Sequence, residues 1–197
     1  GPRWHKSKEG TPTMGGLAFM AATAVAGIAL SAFISRGGEV DVMPFIFTLS
    51  LALLNGAIGI IDDLTKFKKK QNEGLTPGQK FFLQLLFAAA YLVFMNTWGY
   101  IDTNLYIPYF NTEIDLGIIY HIFSLVLITG IINSANLTDG IDGLASMVTF
   151  VIGVFFAAAA IKYGNISTAL AAGGLLGGTL GFLVYNLHPA RIFMGDT

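Results

Sequence analysis

Six stretches of about 20 apolar residues dominate this sequence, and each is long enough to cross a bilayer as one helix. They occupy residues 17–34, 43–61, 79–98, 118–135, 143–161 and 168–187. In lipid a backbone must satisfy its own hydrogen bonds, so only helices and closed barrels can span. These runs are apolar all round and lack the roughly 10-residue alternating segments of barrel strands. The expected fold is therefore all-α, a polytopic transmembrane helix bundle forming a single integral membrane domain over residues 1–197. Composition points the same way: 54% of residues are hydrophobic and 12% charged, against about 25% charged in a soluble domain.

Other classes are disfavoured just as directly. The chain has no cysteine, which removes disulfides and thiolate metal sites. A net charge of -1 argues against a nucleic-acid surface, so no nucleic-acid partner is expected. The first apolar run follows a polar opening, unlike a cleavable signal peptide.

Six spans divide the polar segments into two sets. Segments 1–16, 62–78, 136–142 and 188–197, with Lys80 at an edge, hold Arg3, Lys6, Lys8, Lys66, Lys68, Lys69, Lys70, Lys80 and Arg191. Segments 35–42, 99–117 and 162–167 hold only Arg36 and Lys162. The positive-inside rule places the first set in the cytoplasm, with both termini. In the outer segment 99–117, the run Tyr106-Ile107-Pro108-Tyr109-Phe110 is expected to form a short hairpin or an interfacial aromatic anchor. Gly173, Gly177 and Gly181, with Gly174 and Gly178, fall at four-residue spacing and suit close helix–helix packing. Polar residues inside the spans, Asn55, His121, Thr129 and Asn133, need internal partners or an interfacial position. His121, close to the start of its span, reads as interfacial or packing rather than catalytic.

The chemistry gathers on one face. Asp62 and Asp63 close the second span, Asn133, Asn136, Asp139 and Asp142 run off the fourth at three-residue spacing, and Asn186 to Asp196 follow the sixth. Acidic residues often end helices as ordinary solvated caps, and Asp62-Asp63 alone carries no stronger meaning. Three such segments together do. Three-residue spacing keeps side chains on roughly one helix face, and lipid would not tolerate that face, so it should look into a polar cavity. Oxygen ligands suit Mg²⁺, which takes one or two carboxylates plus substrate phosphates and water. Nearby lysines could hold a pyrophosphate. An EF-hand at 139–143 fails because its alternating ligands and distal Glu are absent. Three scattered histidines do not support zinc. These residues imply a cytoplasmic-facing, metal-assisted site for an anionic substrate and leave the reaction open.

Four motifs carry a resemblance: Lys8-Glu9-Gly10-Thr11-Pro12-Thr13-Met14-Gly15-Gly16, Gly59-Ile60-Ile61-Asp62-Asp63-Leu64-Thr65-Lys66, Asn136-Leu137-Thr138-Asp139-Gly140-Ile141-Asp142-Gly143-Leu144, and Phe193-Met194-Gly195-Asp196. Across essentially its whole length the chain resembles the polyprenyl-phosphate phospho-sugar transferases, and the first motif is similar to their phospho-N-acetylmuramoyl-pentapeptide branch. The resemblance implies a multi-pass protein of the bacterial inner membrane. It implies transfer from UDP-MurNAc-pentapeptide to undecaprenyl phosphate, giving lipid I and UMP, with Mg²⁺ as cofactor. It further implies Asp196 as a metal ligand, and Asp62, Asp63 and Asp139 as the catalytic acidic cluster with Asp62 a candidate base. Lys8, Thr13, Lys66 and Lys80 would contact phosphate or nucleotide. Asn136, Gly140, Asp142 and Phe193 would form the nucleoside pocket, and Asn133 and Asn186 would position substrate.

A one-step attack and a route through an aspartyl intermediate both remain open at this point, as does a sister enzyme using UDP-GlcNAc. An ion-coupled transporter is the alternative from another class, since intramembrane carboxylates also mark ion paths. Family members carry helices on both sides and a histidine-rich motif that these residues do not include. The expectation is thus part of a longer enzyme, inactive alone. Bundles of this kind can pair as homodimers through an exposed helix face.

Overall fold

The computed structural model describes residues 10–38, 40–69 and 74–196. Among them, six helices are long and apolar enough to cross a membrane. These are α1 (Gly16–Ser35), α2 (Met43–Lys69), α3 (Pro77–Thr97), α4 (Ile118–Thr138), α5 (Leu144–Tyr163) and α6 (Ile166–Asn186). A two-stranded antiparallel hairpin, β1 (Asn104–Ile107) and β2 (Thr112–Asp115), lies between α3 and α4. The architecture is the expected all-α polytopic bundle of a multi-pass membrane protein, and segment 99–117 forms the hairpin.

Successive helices from α2 to α6 pack side by side, α6 closes back on α2, and α1 lies across α6 and α2. Glycine sets the closest of these approaches. A Cβ on Gly27 would lie 2.7 Å from the Phe45 ring, at the crossing of α1 and α2. One on Gly178 would collide with Phe19 and Thr23 of α1. Only part of the glycine stripe is used in this way. Gly174 and Gly178 meet α1, whereas among the described residues nothing lies within 4 Å of a Cβ on Gly173, Gly177 or Gly181. One helix face can press on one neighbour, and residues 173, 177 and 181 sit about 100° away from it.

Three boundaries differ from the sequence expectation in ways that bear on function. Asp62 and Asp63 do not close α2, which continues to Lys69. At 1.5 Å per residue the 27-residue helix is about 40 Å long against roughly 30 Å of hydrocarbon. Asp62 therefore sits close to the far edge of the apolar layer, and the helix runs on beyond it. α3 begins at Pro77 rather than residue 79, because Thr76 and Gln79 form a reciprocal capping box with Pro at the start. The Asn/Asp repeat does not share one helix face: α4 ends at Thr138, Asp139 caps it, and Asp142 lies in the turn leading to α5. Gly143 holds the left-handed φ of 76° that this turn requires.

Polar groups within the spans bond mainly to their own helix, although among the described residues Asn55 Oδ1 and Thr23 Oγ1 are buried without a hydrogen-bond partner. Thr129 donates to Leu125 O at 2.9 Å and the Asn55 amide to Leu51 O at 2.9 Å. His121 bridges Gly117 O and Asn96 Oδ1 where α3 ends and α4 begins.

Candidate active site

The second half of α2 supplies the first two carboxylates. Asp62 is fully buried. Its Oδ1 accepts the Leu75 N–H at 2.6 Å, and its Oδ2 lies 2.6 Å from Lys66 Nζ and 2.9 Å from Lys80 Nζ. Lys66 reaches it because residues four apart stack on one helix face. Lys80 arrives from the opening turns of α3, which the Thr76 capping box holds in place. Gly74 lets the connecting turn pass, since a Cβ there would strike the Asp62 carboxylate.

The third carboxylate comes from the far end of the chain. Asp196 Oδ2 lies 2.7 Å from Lys66 Nζ and 2.6 Å from Lys80 Nζ, while its backbone N–H donates to Asp63 Oδ2 at 3.0 Å. Asp62, Asp63 and Asp196 each present an oxygen within 4.8 Å of the others. Both lysines bridge Asp62 and Asp196, so two ammonium groups face three carboxylates and one negative charge is left over. An all-oxygen donor set with surplus negative charge, placed near the end of a bundle, suits a hard divalent cation completed by phosphate and water.

Backbone pairing holds Asp196 in position. Phe193 N–H donates to Pro12 O at 2.8 Å, Gly15 N–H to Phe193 O at 2.9 Å, and Gly16 N–H to Met194 O at 2.9 Å. The first and fourth sequence motifs are thus zipped together. Gly195 follows with φ +81°, and a Cβ on it would lie 2.5 Å from Asp63 Oδ2 and 3.2 Å from Thr13 Oγ1. This brings exposed Thr13 to the edge of the triad. Phe193 contributes its backbone to the pairing, and its side chain is half-buried.

The α4–α5 turn is tied to the same segment from its other side. Asn186 Oδ1 accepts the Gly143 N–H at 3.0 Å, and its amide donates to Ile192 O at 3.0 Å. Asp142 Oδ2 accepts the Ala190 N–H and lies 3.2 Å from His188 Nδ1. Asn136 is exposed and its carbonyl accepts the Asp139 N–H, while no described residue lies within 4 Å of a Cβ on Gly140. Asn133 donates to Gln84 Oε1 at 2.8 Å, joining α4 to α3 one turn beyond Lys80.

The structure therefore brings Asp62, Asp63, Asp196, Lys66, Lys80 and Thr13 together. Asp139 is not one of the three converging carboxylates; its backbone N–H donates to Asn136 O where α4 ends. Lys8 lies outside the described residues. The amides of Asn133 and Asn186 are committed to protein atoms. Gln84, Gly74 and His188 were not singled out from sequence. A glutamine one turn after Lys80 inside an apolar span was the available signal for Gln84. A cavity of about 710 Å³ lies at the opposite end of the bundle, beside Asp41, Tyr100 and Ser167, and none of the triad lines it.

Comparison with known proteins adds the family. The profile of glycosyl transferase family 4 matches residues 45–197. The profile of phospho-N-acetylmuramoyl-pentapeptide-transferase signature 1 matches residues 8–20. The chain is 41% identical over 197 residues to the phospho-N-acetylmuramoyl-pentapeptide-transferase of Clostridium perfringens, covering 100% of this chain and 59% of that protein. It is 44% identical over 200 residues to the enzyme so named in Heliobacterium modesticaldum and 40% identical over 197 residues to that of Listeria monocytogenes serotype 4b. Each alignment covers 100% of this chain and 59% of the relative. The chain spans 59% of the length of these relatives.

Proposed function

We propose that this chain, which belongs to glycosyl transferase family 4, is the membrane-embedded part of an enzyme that transfers phospho-MurNAc-pentapeptide from UDP-MurNAc-pentapeptide to undecaprenyl phosphate. Lipid I and UMP are the products. The observation that carries this reading is the convergence of Asp62, Asp63 and Asp196 with Lys66 and Lys80, against a backbone-paired segment that matches the muramoyl-pentapeptide signature. The names of the relatives supply the donor. A carboxylate site near the bundle end also differs from the midplane site of a transporter.

Mg²⁺ bound by Asp196, with Asp63 and Asp62 beside it, would screen the charge of the two phosphates as they approach. The lipid phosphate oxygen attacks the β-phosphorus, the bond from that phosphorus to the bridging oxygen breaks, and UMP leaves with the electron pair. Positioning and charge neutralisation supply most of the acceleration in phosphoryl transfer of this kind. Lys66 and Lys80 turn from carboxylate to pyrophosphate as substrate enters. Asp62 is the anchor of both lysines rather than the base: it is fully buried and both oxygens already hold donors or cations. Thr13 and the exposed Asn136 and Gly140 would meet the nucleotide, with Phe193 beside the Thr13 segment and the buried Asp142 carboxylate bracing the turn against Ala190. Asn133 and Asn186 position these elements from behind. The excess of basic residues on this side supports a cytoplasmic-facing site by the positive-inside rule.

The test is UMP release by the whole protein that carries this sequence, supplied with undecaprenyl phosphate and either UDP-MurNAc-pentapeptide or UDP-GlcNAc, with and without Mg²⁺. Metal-dependent release from the muramoyl donor alone, abolished by Asp196→Asn, is expected. Release from UDP-GlcNAc would keep the site and replace the substrate. No release from either donor by folded protein would overturn the reading.

A further inference from the structure

The hairpin between α3 and α4 is amphipathic and has no partner within the bundle. Its register pairs Leu105 with Ile114 and Ile107 with Thr112, and Asn104 with Asp115 and Tyr106 with Glu113. Successive residues of a strand point to opposite faces. Leu105, Ile107 and Ile114 therefore share one face, and Asn104, Tyr106, Glu113 and Asp115 share the other. The polar face is internally bonded: Asp115 Oδ1 accepts Thr103 Oγ1–H at 2.5 Å and the Gly117 N–H at 2.9 Å, and Tyr106 Oη donates to Asn111 Oδ1 at 2.8 Å. On the apolar face, Leu105 and Ile114 are each 46% exposed. At the tip, the Tyr109 and Phe110 rings meet edge to face with centroids 5.0 Å apart, and both are largely exposed. Among the described residues no helix packs against either strand.

An isolated two-stranded hairpin is marginally stable in water, so this apolar face needs a covering surface. Its position identifies that surface. The hairpin is rooted between Thr97, the last residue of α3, and Ile118, the first of α4. Trp98, Ile118 and Ile119 at these roots are exposed apolar residues at the ends of membrane-spanning helices. The hairpin's apolar face thus continues the lipid-facing belt at the level where tyrosine and tryptophan concentrate. Segment 99–117 carries Asp102, Glu113 and Asp115 and no lysine or arginine, so attraction to anionic lipid is not the driving force.

We propose that the hairpin is a membrane-interface anchor at the end of the bundle opposite the acidic triad. Its Leu105, Ile107 and Ile114 face and its Tyr109–Phe110 tip lie against the acyl–headgroup boundary, and its Asn104, Glu113 and Asp115 face stays in water. The anchor fixes the relative tilt of α3, which carries Lys80, and α4.

The experiment uses nitroxide labels on single cysteines at Leu105, Phe110 and Ile114, and at Asn104 and Glu113 for comparison. This chain contributes no competing cysteine. The whole protein, with any other cysteines replaced, is reconstituted into phosphatidylcholine vesicles. Collision with oxygen is then compared with collision with a water-soluble nickel chelate. Labels at Leu105, Phe110 and Ile114 should show an oxygen-to-nickel ratio severalfold above those at Asn104 and Glu113, unchanged when phosphatidylglycerol is added. Equal nickel access on both faces would mean a hairpin standing in water. Exclusion of both reagents from the apolar face would mean a protein partner. Either result overturns the anchor.

Discussion

The backbone N–H of Asp196 donates to Oδ2 of Asp63 at 3.0 Å, closing a loop of 133 residues. That bond orients one oxygen of Asp63 and leaves Oδ2 of Asp196 between two lysines. The turn that permits it belongs to Gly195, whose φ of +81° brings residue 195 against the Asp63 carboxylate.

Replacing Gly195 with alanine therefore tests this geometry. A left-handed conformation costs a side-chain-bearing residue about 1–2 kcal/mol, and the added Cβ would press on Asp63 and Thr13. The carboxylates should move by a fraction of an ångström to an ångström, and UMP release by the whole enzyme should fall about 100-fold. Thermal unfolding in detergent should shift by only a few degrees. Wild-type rates from Gly195→Ala would show that the Asp63–Asp196 alignment is dispensable.

Lys66 and Lys80 each contact both Asp62 and Asp196. Either lysine alone can hold the two carboxylates together, so Lys66→Met or Lys80→Met should each lower the melting temperature modestly. The double variant should lose more than the two singles combined. With the ammonium groups gone, the carboxylates should bind Mg²⁺ more tightly, and added Mg²⁺ should raise the double variant's melting temperature more than the wild type's. An equal shift in both proteins would show that the lysines and the metal do not share these oxygens.

Asn186 separates a structural amide from a substrate contact. Asn186→Leu would leave the buried Gly143 N–H and the Ile192 carbonyl without their partner. Such losses cost about 1–3 kcal/mol each. A clear fall in melting temperature is expected, with most of the lost activity in kcat. A raised KM for the UDP-sugar at unchanged stability would instead put the amide on the substrate.

The two glycine rows of α6 should respond differently. Gly178→Ala meets Phe19 and Thr23 and should destabilise by about 1–3 kcal/mol, the usual cost of overpacking. Gly177→Ala has nothing within 4 Å among the described residues, and better helix propensity should make it neutral or stabilising by up to about 1 kcal/mol. Melting temperatures of the two variants compare them directly.

At the opposite end, Tyr100 Oη donates to Asp41 Oδ2 at 2.5 Å. This bond, then the Met43 N–H, holds the Asp41 carboxyl below its ordinary value of 3.8, and the same bond raises Tyr100 above 10.0. The Asp41 contribution is thus fully present above pH 3.8 and lost as pH falls through the lowered value. The Tyr100 contribution is fully present below pH 10.0 and lost as pH rises through the raised value. Asp41 is exposed and Tyr100 only half-buried, so the effect is small. The stability difference between wild type and Tyr100→Phe should be flat across the neutral range and shrink at both extremes. A difference that grows at either extreme contradicts the bond.

Local physics determined the architecture. An apolar run of about 20 residues forms a helix in lipid because, apart from a closed barrel, no other arrangement satisfies its backbone hydrogen bonds, so six spans could be read one at a time. The Thr76–Gln79 capping box and the Tyr106–Phe110 hairpin are equally local. The motifs carried Asp62, Asp63, Asp196, Lys66 and Thr13 as site residues, the resemblance added Lys80 outside them, and the family match agrees with the resemblance.

Tertiary structure decided how those residues relate. Nothing local to Asp62 and Asp63 shows that α2 runs on to Lys69, or that the Asp62 carboxylate meets the N–H of Leu75. Nothing local to Asp139 shows that it ends α4 while Asp196, far along the chain, meets Asp62 and Asp63. Asn186 and Asn133 look like polar groups awaiting a substrate until their partners, Gly143, Ile192 and Gln84, are in view. A residue's type and its neighbours along the helix set whether it can lie in a membrane. Which charge it faces depends on helices packed from distant parts of the chain, through distances of a few ångströms that sequence spacing does not encode.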